Sequence, residues 1–169
     1  MRRIWGRPLF GRWPKSPKEE SEFGPGKADI VFCEYGEAVY YGKSWRHNLR
    51  EYAHLREDKS VRVSLCPAHV MMKNGLFEGE VILENMPADA HDEIVNLIKN
   101  IGERAYERDV LDRIIDIEDK GASIRVTTTE NQLAISIGKQ VARARKNSQI
   151  DIKLSNEEDT ARVRVWWQE

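Results

Sequence analysis

Across residues 75–169 the apolar positions switch repeatedly between two spacings, and few folds accept that alternation. Phe77, Val81, Ile82 and Leu83 follow Gly75 as a strand-like run. Pro87 then opens a segment in which Ile94, Leu97, Ile98, Ile101 and Ala105 share one helical face. Residues 113–118 read as a strand, Lys120 and Gly121 as a turn, and Ile124, Val126 and Thr128 as the returning strand. Thr129 caps a second helix, with Gln132 placed to complete a capping box and Leu133, Ile137, Val141 and Ala144 as the buried stripe. Ile150, Ile152 and Leu154 alternate, residues 156–159 turn, and Val163, Val165 and Trp167 alternate again. The order is βαββαββ, an α+β class, and its two αββ halves point to ferredoxin-like packing.

Helices on one face of such a sheet leave the other open. Arg125, Lys153, Arg162, Arg164 and Trp166 fall on that second face by alternation. Basic side chains around an aromatic on an open sheet suit single-stranded RNA, and open sheets also bind proteins. Lys139, Arg143 and Lys146 recur at helical spacing away from the second helix's apolar stripe, either as an RNA contact or as an ordinary charged face.

The formal net charge is −1, so any attraction to nucleic acid must come from local clusters. Residues 1–27 supply the clearest one. Arg2, Arg3, Arg7, Arg12, Lys15 and Lys18 occur without an acidic residue among the first eighteen, interleaved with Trp5, Phe10 and Trp13 and broken by proline and glycine. The segment reads as a flexible basic-aromatic arm that meets phosphates with its cations and stacks on unpaired bases with its rings. The alternative is a leader whose tryptophans dock on the protein itself.

Residues 28–74 read as a small second module. Residues 30–33 make one short strand and residues 39–41 another. Residues 46–58 are polar with a possible helix, and Val61, Val63 and Leu65 alternate into Cys66-Pro67-Ala68-His69. Large aliphatics are scarce, so the module needs a staple or a neighbour. Cys33 with Cys66-x-x-His69 is the one metal-like spacing, but Gly36 stands where a second cysteine of the first knuckle belongs. A degenerate zinc-ribbon-like module without metal is therefore expected, and no other cofactor. Asp112, Asp116, Glu118 and Asp119 read as a solvated strand edge and turn, and Gly24-Pro25-Gly26-Lys27 lacks the context of a phosphate loop. No catalytic residue is expected, and a thiol-dependent enzyme built on Cys33 or Cys66 with a histidine is the remote reading.

The chain also resembles a family of small bacterial proteins similar to part of nonsense-mediated decay protein three, the archaeal and eukaryotic ribosome export adaptor. The resemblance covers residues 66–167. It rests on Cys66-Pro67-Ala68-His69, Asn96-Leu97-Ile98-Lys99-Asn100, residues 112–118, the Val126-Thr127-Thr128-Thr129 run, and Leu133-Ala134 with Ile137-Gly138. Members pair CxxC with CPxC as a zinc knuckle, from which this chain departs at Gly36. The resemblance implies association with the ribosome or ribosomal RNA. The expected protein is a cytoplasmic, ribosome-associated RNA-binding factor in assembly, quality control or dormancy (hibernation), with no membrane or DNA partner. The alternative is a protein–protein adaptor with a degenerate zinc-ribbon module. The three segments expected are 1–27, 28–74 and 75–169.

Overall fold

The structure, a computed structural model, describes residues 30–36, 38–47, 61–155 and 159–168. The whole arm, residues 1–27 with Arg2, Arg3, Trp5, Arg7, Arg12, Trp13 and Lys15, lies outside the described residues, as do positions 48–58 of the expected polar helix. The described part is mixed α+β, with two sheets and three helices.

The smaller sheet has the order β3-β2-β1-β4, with β1 at Val31–Cys33, β2 at Ala38–Tyr41, β3 at Ser44–His47 and β4 at Arg62–Ser64. Arg46 and His47 therefore belong to a strand rather than to the start of a helix: β3 returns along β2, pairing Ala38 with His47 and Tyr40 with Trp45. β1 and β4 run parallel. Helix α1 (Pro67–Asn74) follows, which the apolar spacing does not announce. Pro67 suits its first turn, where no N–H is needed, and Gly75 ends it in the left-handed conformation at φ 65°.

The larger sheet has the order β6-β7-β5-β9-β8. Its strands are β5 (Gly79–Glu84), β6 (Ile114–Asp119), β7 (Ile124–Thr128), β8 (Ser148–Ser155) and β9 (Thr160–Trp167), with helices α2 (His91–Arg108) and α3 (Asn131–Ala144) between them. The sheet departs from all-antiparallel ferredoxin-like pairing on one side. β9, rather than the strand directly after α3, lies against β5 and runs parallel to it, while β8 takes the outer edge. The β8–β9 hairpin causes this reversal.

Alternation sorts the two faces. Val81, Leu83, Ile124, Val126, Val163 and Val165 pack with Ile94, Ile98, Ile101, Leu133, Ile137 and Val141 of the two helices in one buried cluster. Close approach of α3 depends on Gly138: a Cβ there would overlap Cγ1 of Val163. Ala144 is exposed, so the stripe ends at Val141, one turn before the spacing suggested. The expected capping box is absent as well, and Glu130 precedes α3 without a side-chain cap. The Thr129 hydroxyl instead donates to the Leu111 carbonyl at 2.6 Å and accepts the Arg113 N–H at 2.8 Å. It thereby ties the entry of β6 to the end of β7.

The neighbour that the small sheet needs is the far end of α2. Val110 is buried in the same cluster as Val31, Cys33, Ala38, Trp45, Cys66 and Ala68, with Tyr106 and Leu111 packed against it. His47 Nε2 donates to the Tyr106 carbonyl at 2.7 Å, occupying one of the acceptors that a helix end leaves open.

Candidate functional site

β1 ends on Cys33, and Cys66 immediately precedes α1, so the parallel β1–β4 pair brings the two thiols together. His69 stands in the first turn of α1, three residues after Cys66. Its Nδ1 lies 3.1 Å from the sulfur of Cys33 and 3.1 Å from that of Cys66. All three side chains are buried, and their ligand atoms lie within 4.8 Å of one another. Burial pushes the Cys66 thiol up from its ordinary value, a hydrogen bond from the His69 backbone N–H opposes this, and the neighbouring Cys33 adds to the rise.

Two sulfurs and an imidazole nitrogen are donors that zinc accepts, but a structural zinc site takes four. Gly36 offers no fourth: with no side chain, at φ 78°, it closes the turn, its N–H donating to the Cys33 carbonyl at 2.8 Å. The opposite side of His69 fits a metal poorly too. Arg113 Nη1 stands 3.4 Å from Nε2, and a guanidinium can only donate, so Nε2 accepts and the ring proton sits on Nδ1, facing both sulfurs. A metal on Nδ1 would move that proton to Nε2, against the Arg113 N–H, where ligating histidines usually meet an acceptor. The described residues therefore bring together three donors of the zinc type, one fewer than a structural site takes. Arg113 also donates from Nε to the Val110 carbonyl at 2.9 Å and lies 4.7 Å over the Tyr106 ring. Nothing in the local sequence marks it as a partner of His69, 44 positions away.

A groove lined by Met72, Lys99, Glu103, Tyr106, Arg113 and Ile117 runs along α2 close to the cluster. Its described lining residues include no cysteine, serine or histidine.

The open face of the larger sheet carries the residues expected on it, with Lys153 opposite Arg162 and Arg164 flanked by Ile82. Sequence reasoning missed their acidic neighbours. Arg125 donates to Glu80 and to Glu118, each at 2.6 Å, and these carboxylates push its guanidinium further up. Arg164 is held by Glu84, Arg162 lies 3.9 Å from Glu80, and Lys153 lies 3.5 Å from Asp151. The guanidinium of Arg164 also stands 5.5 Å over the Trp166 ring. The signal was available: Glu80 and Glu84 share the parity of Ile82 in β5, and so its open face. The acidic residues read as a solvated edge are partly engaged, Glu118 by Arg125 and Asp112 by Arg108.

The second basic group stands differently. Lys139 and Arg143 on α3, and Lys146 just beyond it, are exposed, and no acidic partner engages them among the described residues. Arg145 beside them reaches Glu93 at 2.8 Å and Asp89 at 3.6 Å. At the other end of α3 the charge reverses, and Glu130 is pushed up by burial and by nearby Glu78, Asp112, Asp109 and Asp159. No helix among the described residues is long and apolar enough to cross a membrane. No protein-family model, curated protein or solved structure matches the chain.

Proposed function

We propose that this protein is a non-enzymatic, cytoplasmic RNA-binding factor that associates with the ribosome in assembly, quality control or dormancy. The observation that carries the proposal is the contrast between its two basic groups. Phosphate binding gains from cations that can release counterions, and a guanidinium already held by carboxylates has less to offer. Arg125, Arg162 and Arg164 meet carboxylates, whereas Lys139, Arg143 and Lys146 are exposed and make no ion pair among the described residues. RNA contact therefore falls on α3 and on the cations of residues 1–18, with Trp5 and Trp13 stacking on unpaired bases. The family resemblance over residues 66–167 supplies the ribosome as target. In this reading residues 28–74 are a zinc-ribbon-like module that has exchanged its metal for hydrogen bonds. The larger sheet is a ferredoxin-like β5-α2-β6-β7 unit extended by the β8–β9 hairpin.

Co-sedimentation with ribosomes across a salt series tests the proposal. Deleting residues 1–18, or combining K139E, R143E and K146E, should weaken association and flatten its salt dependence. Replacing Trp5 and Trp13 with alanine should weaken it with the slope nearly intact, by about 1–3 kcal/mol per stacked base. Association that ignores all three changes would sink the RNA reading. One observation favours the adaptor as the second reading. A charge-balanced open sheet suits a protein surface with its own mixed charges, and that binding would be insensitive to the loss of Lys139, Arg143 and Lys146.

A further inference from the structure

Two strands end the larger sheet, β6 and β8, and among the described residues only β6 is blunted. β6 is interrupted by a register shift between Ile114 and Asp116, the kind of irregularity that discourages further pairing. β8 pairs with β9 from Ser148 to Ser155 without a shift and contains no proline. It also exposes apolar surface, with Ile150 38% and Leu154 60% exposed on the helix-covered side.

The backbone direction follows from one bond. The Asn147 carbonyl accepts from the Gln168 N–H, continuing the β8–β9 register. Polar groups alternate along a strand, so the odd-numbered residues of β8 address β9. Ser148, Ile150, Ile152 and Leu154 turn their N–H and C=O groups to the open edge.

We propose that β8 is a homodimerisation edge, pairing antiparallel with β8 of a second copy about a two-fold axis at Ile152. In that register Ile152 meets its own equivalent, and Ile150 lies opposite Leu154 of the second copy. These outward-facing residues form hydrogen-bonded pairs, and the apolar side chains meet on the helix side. On the open side Asp151 lies opposite Lys153 of the second copy, and Lys153 opposite Asp151. Both side chains are well exposed, at 48% and 78%, so they are accessible to a partner. Their charges also select the register. Moving the axis to residue 151 sets Asp151 against its own equivalent, and moving it to residue 153 does the same to Lys153, both unfavourable. A two-fold axis perpendicular to the sheet carries both α3 helices to the same face, so the rows of Lys139, Arg143 and Lys146 flank a common axis.

Sedimentation equilibrium of the full chain from about 1 to 100 µM reads the association directly, with circular dichroism as the folding control. A monomer–dimer equilibrium is expected. Asp151→Lys alone, and Lys153→Asp alone, should each raise the dissociation constant at least about tenfold by setting like charges opposite one another twice per dimer. The double variant D151K/K153D should restore it to near the starting value. A chain that stays monomeric throughout would overturn the proposal. So would a dimer indifferent to the single changes, or single variants that the double exchange does not rescue. A monomer whose β8 amides gain exchange protection only when ribosomes are added would assign the edge to a different partner and equally overturn it.

Discussion

The Cys33 sulfur lies 3.1 Å from Nδ1 of His69 across 36 positions of chain, and Cys66 reaches the same nitrogen from three residues away. Purified protein should hold well under one zinc per chain, because Gly36 supplies no ligand and Arg113 occupies the side of His69 where a metal-bound ring needs an acceptor. Arg113→Ala should raise zinc occupancy measured by elemental analysis. Stoichiometric zinc in the unaltered protein, lost on Cys66→Ser, would show that an additional donor completes the site.

Gly138→Ala should destabilise the packing of α3 on the larger sheet. Alanine favours a helix over glycine by about 1 kcal/mol. Against that, its Cβ would overlap Val163, a buried β-branched side chain with little freedom to turn aside. Overpacking of this kind costs roughly 1–3 kcal/mol, so a net loss is expected in urea denaturation. A gain in stability would mean that α3 and β9 are less tightly apposed than described.

His91 should make stability depend on pH. Its Nδ1 meets Asp92 at 3.0 Å and its Nε2 meets Asp119 at 2.9 Å. Asp119, then Asp92, raise the imidazole above its ordinary 6.5, and His91 in turn lowers Asp119 below its ordinary 3.8. The raised histidine stabilises fully below 6.5 and loses its contribution as pH rises through its folded value. The lowered aspartate contributes above 3.8 and loses that contribution as pH falls through its folded value. His91→Gln should therefore lower the melting temperature more at about pH 5.5 than at about pH 8.5. Equal losses at the two values would refute the charged pairing.

The order of elements across residues 79–167 was legible because apolar residues alternate along its strands and recur at helical spacing along its helices. Val81 and Leu83 alternate toward the core, and Ile94, Ile98 and Ile101 recur at helical spacing. The side of the sheet on which Arg125, Arg162 and Arg164 emerge followed from the same period. Their partners did not, because Arg125 meets Glu80 across 45 positions, through strand pairing that no local spacing encodes. The same limit hid the parallel β5–β9 pair, since alternation tells which face a residue takes but not which strand lies beside it.

The sequence by itself determined which face of most strands and helices turns inward, where the charges cluster, and that Gly36 leaves the first knuckle without its second cysteine. Those properties belong to single residues and their immediate spacing. Only the tertiary structure decided that Cys33, Cys66 and His69 converge, that Arg113 closes the far side of the imidazole, and that carboxylates hold the guanidinium groups of Arg125 and Arg164. It also decided which strand forms the open edge. Each of these depends on distances between segments remote in the chain, set by close packing of the two cores rather than by any residue's own preference.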